Sequence, residues 1–181
     1  MEGLKKKGGK QLFREDDLVV YGTRGVCRVK AIGNMKTPGT AEERLYYTLE
    51  PIFIKNSVIY TPVDNDKVII RSVISKDKAM SLIEEIPLME TIGVADDKKR
   101  ETIYHESMNK CDCRETMKVI KTLYQRKQER AAIGKKTTSL DDRYLHLAQD
   151  NLFSELSIPL NISKSEVEAV IISKVELLEW N

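Results

Sequence analysis

Phe13-Arg14-Glu15-Asp16-Asp17-Leu18-Val19-Val20-Tyr21-Gly22-Thr23-Arg24-Gly25-Val26-Cys27-Arg28-Val29, then Tyr46-Tyr47-Thr48-Leu49 and Val58-Ile59-Tyr60-Thr61-Pro62-Val63, is the part of the chain whose reading decides the fold. Its β-branched and aromatic runs are short and are broken by glycine and proline, the signature of a small barrel. The remainder is patterned for helices throughout. The chain therefore reads as an α+β protein in which a β-module hands over to an all-α one.

Within the first module, Arg28 and Lys30 alternate with Cys27, Val29 and Ala31, the two-residue period of a strand over Val26 to Ile32 with one face buried. Leu45, Tyr47 and Leu49 oppose Tyr46 and Thr48 in a second strand. Val58 to Val63 supplies a third and Val68 to Val73 a fourth. Gly33 to Arg44, with Gly33, Asn34, Pro38 and Gly39, reads as a polar hairpin excursion, and Lys55-Asn56-Ser57 as a tight turn. So small a barrel is filled by its own side chains, so binding falls to its outside. There Arg28, Lys30, Tyr46 and Tyr60 stand beside a strand edge whose backbone groups a partner strand can pair with.

Beyond the β-module, Ser75 opens a helix with Ala79, Leu82, Ile83 and Ile86 at helical spacing, stopped by Pro87. A second runs from about Asp96 to Asn109, with Asp96 and Asp97 in its first turn and Ile103, Tyr104 and Met108 apolar. Asp112 with Glu115 starts a third that turns Met117, Ile120, Leu123 and Tyr124 inward and ends at Gly134. Its outer face carries Arg114, Lys118 and Lys121, with Arg126 and Arg130 toward the flank. Ser139 with Asp142 opens a fourth, packed through Leu145, Ala148, Leu152 and Leu156 and stopped before Pro159. Ser163 with Glu166 opens a last helix, about 163–180, with Val167, Val170, Ile171 and Leu178 as its stripe. The basic positions suit phosphate contact, although Glu115, Glu129 and Asp141 lie among them and solvated helix faces look the same.

The 181 residues fit two compact domains, with 41% hydrophobic residues to fill their cores. A formal charge of +2 with 32% charged residues puts the weight on where cations cluster rather than on their excess. Three cysteines form no disulfide framework, and neither a signal peptide nor a membrane span is visible, so a cytoplasmic protein is expected. The basic leader, residues 1–12, reads as a flexible arm.

Little here supports catalysis. His105 and His146 are the only histidines, Cys111 and Cys113 lack a second metal-ligand pair at usable spacing, and Gly8-Gly9-Lys10 lacks the spacing of a phosphate loop. No enzyme, cofactor, metal or small-molecule substrate is expected.

At Val19-Val20-Tyr21-Gly22-Thr23-Arg24-Gly25-Val26, Tyr46-Tyr47-Thr48-Leu49 and Thr61-Pro62-Val63-Asp64 the chain resembles the CarD/CdnL family of bacterial transcription regulators. Val119 to Arg130 and Ser139 to Leu156 continue the likeness. It implies a Tudor/SH3-like RNA polymerase interaction domain at 13–74, as in the transcription-repair coupling factor, and a helical DNA-binding domain at 75–181. The first docks by a strand edge on the polymerase beta subunit. The second contacts promoter DNA at the upstream edge of the bubble without reading its sequence, and modulates the open complex. For polymerase the candidate contacts are Arg28, Lys30, Tyr46 and Tyr60 of the outer surface with the nearby cations Lys36 and Arg44; for DNA, Lys98, Lys99, Arg100, Arg126 and Arg143 match basic positions of the family, and Arg114, Lys118 and Lys121 join them from the outer face of the third helix.

Three positions depart from the family pattern. Tyr60 and Met35 stand where members often place basic polymerase contacts, and Asp97 or Lys98 stands where many carry a wedge tryptophan. The only tryptophan, Trp180, lies in the extra C-terminal helix. Two further readings follow from the residues: an interaction module that leaves DNA alone, and a Tudor-like RNA-binding factor.

Overall fold

The computed structural model describes residues 12–36, 43–93 and 97–176. The chain divides into two compact units, Met1–Ser72 and Val73–Asn181. The first holds five strands, β1 (Leu18–Tyr21), β2 (Val26–Lys36), β3 (Glu43–Pro51), β4 (Ile59–Pro62) and β5 (Ile70–Ser72), in one antiparallel sheet of order β4-β3-β2-β1-β5. The expected barrel is thus an open sheet, consistent with a Tudor-like fold, with β4 and β5 as its two edges.

β1 is a strand that a two-residue period does not announce. Leu18-Val19-Val20-Tyr21 is apolar without alternation, and both central valines are buried, so no polar face marks it. It turns into β2 through a 3-10 turn at Gly22–Arg24. Gly22 has φ +48°, and a Cβ there would meet Val68 Cγ1 at 2.7 Å, so only glycine fits.

β2 and β3 stay paired into the expected Gly33 to Arg44 excursion, out to Lys36 opposite Glu43, and 37–42 lie outside the described residues. The register shifts between Val29 and Ala31, a bulge that leaves Lys30 as an extra residue. Cys27 and Val29 face inward as expected. After the bulge the core side passes to Ile32, opposite Tyr47, and Ala31, opposite Thr48, is only half-buried; this corrects the simple alternation. The core gathers Phe13, Val19, Cys27, Val29, Tyr47 and Leu49, each such side chain contributing about 1.5–3 kcal/mol by leaving water. The buried Tyr47 hydroxyl accepts the Phe13 N–H at 3.0 Å, which offsets part of its loss of water.

The second unit holds α1 (Lys76–Glu85), α2 (Arg100–Asn109), α3 (Cys113–Ala132), α4 (Ser139–Leu160) and α5 (Lys164–Glu176) around one core. Ser75 caps α1 by accepting the Lys78 N–H, and Asp112 caps α3 by accepting those of Arg114 and Glu115. In the Ser163 box, Ser163 Oγ accepts the Glu166 N–H at 3.2 Å and the Glu166 carboxylate accepts that of Ser163 at 2.8 Å.

Three helix expectations are corrected. The cap of α4 is Thr138, which accepts the Asp141 N–H, so Ser139 lies inside the helix. Pro159 does not stop α4. The helix runs on to Leu160 and closes where Asn161 adopts left-handed backbone and Ile162 N–H returns to the Ser157 carbonyl. Val170 is 38% exposed, whereas Val167 and Ile171 are fully buried. Asp96, Leu178 and Trp180 lie outside the described residues.

Candidate functional site

The two edges of the sheet differ. Val63 N–H donates to the Leu45 carbonyl at 2.9 Å, so in the alternating antiparallel ladder Tyr47·Thr61 and Leu49·Ile59 are also bonded pairs. Tyr60 and Pro62 fall between them and turn their backbone groups away from β3. The β4 edge therefore offers the N–H and C=O of Tyr60 and the C=O of Pro62, and proline's missing donor lies on the outward side where a strand tolerates it. At β5 the same counting, from Gly22 N–H to the Ile69 carbonyl, turns Ile70 and Ser72 outward. There the Arg71 guanidinium donates to the Ser72 carbonyl at 3.1 Å and blunts the edge.

Register also sets which side chains share a face, because directly paired residues point the same way. Arg28·Glu50, Ala31·Thr48, Thr48·Tyr60, Tyr46·Pro62 and Met35·Arg44 place Arg28, Arg44, Tyr46 and Tyr60 on one outer face. Lys30 joins them from the bulge, with its ammonium 3.3 Å from Glu50. Lys36 does not. It pairs with Glu43, one residue out of phase with Arg44, and so lies on the opposite face. The cations of the outer face are matched by acids: Arg28 is 3.8 Å from Asp16 and Arg44 is 2.9 Å from Asp64. Cys27, behind this face, is buried, which pushes its thiol up to about 11.

In the helical unit the eight expected DNA contacts form two groups. Lys98 and Lys99 are exposed in the 3-10 turn that leads into α2, and Arg143 is exposed on α4, 2.5 Å from Glu101. Arg100 belongs beside them but is buried, and Arg126 is largely covered. Their Nε atoms lie 3.2 and 3.8 Å from the two carboxylate oxygens of Asp141, which is 4% exposed, so one acid of α4 joins α2 to α3.

The second group lies on the first half of α3. Arg114 pairs with Glu85, and Lys118 with Glu115 at 3.0 Å. Lys110 and then Lys118 hold the Glu115 carboxyl below the usual carboxylate range. Lys121 is not on an outer face. Its half-buried ammonium donates to the carbonyls of Ile86, Pro87 and Met89 at 3.0, 3.2 and 2.5 Å, satisfying the chain where α1 ends, and burial lowers its pKa. These partners lie 32 to 35 residues away, beyond any sequence pattern.

His105 and His146 are exposed on helices, and Cys111 and Cys113 are buried thiols. Among the described residues no group of three or more His, Cys, Asp or Glu is placed to hold a metal ion, and no helix is long and apolar enough to cross a membrane.

Comparison with known families agrees with this division. Residues 13–74 match the CarD-like/TRCF RID domain, and residues 88–172 match the CarD C-terminal domain. No curated relative matches the chain. With both domains of one family in the order that the sheet and the bundle occupy, this chain belongs to the CarD-like family and is a transcription-associated protein bearing an RNA polymerase interaction domain.

Proposed function

We propose that this protein is a non-enzymatic regulator that binds the RNA polymerase beta subunit through the β4 edge and touches promoter DNA at the upstream edge of the bubble through Lys98, Lys99 and Arg143. The observation that carries the DNA reading is the grouping of these three exposed cations around the Arg100–Asp141–Arg126 cluster. Phosphate contact needs positive charge and reach but no base readout. Residues 73–181 carry 17 lysines and arginines against 19 aspartates and glutamates, so this module binds DNA poorly alone, and tethering beside the promoter supplies the missing concentration. Its effect on the open complex equals its difference in affinity for the open and closed states.

The test is a footprint of the polymerase–promoter complex with wild-type protein and with the double variant Lys98→Glu, Lys99→Glu. Loss of the added upstream protection with polymerase binding intact is expected; unchanged protection refutes the DNA contact. A second reading, polymerase binding without DNA contact, is favoured by the engagement of Arg114, Lys118 and Lys121 with acids and carbonyls inside the unit. It predicts no change in the footprint at all.

A further inference from the structure

We propose that the strand received by β4 is apolar on the side it shares with Tyr60, and that aromatic and aliphatic contact, not charge, carries this docking. The inference rests on the polymerase-binding reading and specifies its partner chemistry.

The edge itself fixes the register. Tyr60 turns both its N–H and its C=O outward, so one residue of the incoming strand exchanges two bonds with it. Pro62 has no donor and offers its C=O alone. Around Tyr60 the exposed side chains are largely apolar, while the charged pair Arg44–Asp64 lies at the Pro62 end of the edge. Tyr60 is 56% exposed, Val58, two residues before it, 47%, and Met35, on the same outer face, 38%.

The cations of this face do not offset that character. Arg28, Lys30 and Arg44 each have an acid within 2.9–3.8 Å, Asp16, Glu50 and Asp64 respectively. Opposite charges that close cancel at a distance comparable to the screening length of about 8 Å, so the face attracts neither an acidic nor a basic partner. Exchanging one exposed carboxylate for another on docking gains little. Strand addition next to an exposed tyrosine and valine instead favours a partner with side chains that exclude water at alternate positions.

The test titrates the full-length chain, labelled at a surface lysine, with bacterial RNA polymerase core enzyme at about 50 and about 500 mM potassium chloride. The expected Kd changes by less than about threefold between them. Tyr60→Ala and Tyr60→Lys each weaken binding by about tenfold or more, and Val58→Lys weakens it in the same direction. Tyr60 and Val58 are exposed, so matching thermal melts separate lost binding from lost fold. Weakening of more than about tenfold by salt, or tighter binding by Tyr60→Lys, overturns the inference while leaving polymerase binding in place. Absence of a complex at both salt concentrations overturns the polymerase reading itself and this inference with it.

Discussion

The sheet keeps its paired positive charges at the surface, whereas the bundle also draws three of its own inward. On the sheet, Arg28, Lys30 and Arg44 meet their acids at the surface, where water and salt share the work. In the bundle, Arg100, Arg126 and Lys121 are drawn inward, two to a single buried carboxylate and one to three backbone carbonyls. The same residue types thus decorate one unit and hold the other together. Burial, not residue identity, decides which, because a guanidinium or ammonium that has lost water depends on its partners far more than a hydrated one does.

Three substitutions rank that contrast. Asp141→Ala takes the counter-charge from two guanidiniums inside the bundle, and its expected cost is the largest, about 3–5 kcal/mol of unfolding free energy of the helical unit, read by denaturant titration. Lys121→Met keeps the aliphatic stem but deprives three carbonyls of a donor, for about 1–3 kcal/mol in the same experiment. Lys30→Ala breaks an exposed pair with Glu50 and should change the unfolding of the sheet by under about 1 kcal/mol. A cost for Lys30→Ala equal to that of Asp141→Ala would break the contrast. If Lys121→Met proved silent, the contrast would narrow to the carboxylate cluster alone.

Much of the architecture was legible because its signals are local. Ser75, Asp112 and the Ser163–Glu166 box cap the helices that their spacing announced, and Ala79, Leu82, Ile83 and Ile86 are buried as their period required. Local signals failed where neighbours outweighed them. Leu18–Tyr21 is covered on both sides and shows no alternation. Thr138 rather than Ser139 caps α4, since two adjacent hydroxyl residues are equally good on paper. Pro159 does not end α4 as its missing donor suggests; the helix runs one residue further and closes at Asn161, whose N–H and that of Ile162 reach back to the last-turn carbonyls.

The candidate contacts were less legible. A helix wheel places Lys121 outside, and only the fold brings the end of α1 over it. Likewise no spacing rule links Arg100, Arg126 and Asp141, which come from three helices. On the sheet, the pleat separates Lys36 from Arg44 although both lie near the same hairpin end, and only the bulge-shifted register reveals it.

That shift at Lys30 also bears on how the hairpin tolerates change. Because Val29 faces Leu49 and Ala31 faces Thr48, Lys30 is a spare link: losing it would leave each flanking residue with its present neighbour across the ladder. What would go is the local bend and extra coiling that a surplus residue imposes on its strand. Insertions and deletions at this one position therefore tune the direction in which the outer hairpin points, while its pattern of cross-strand neighbours stays as it is.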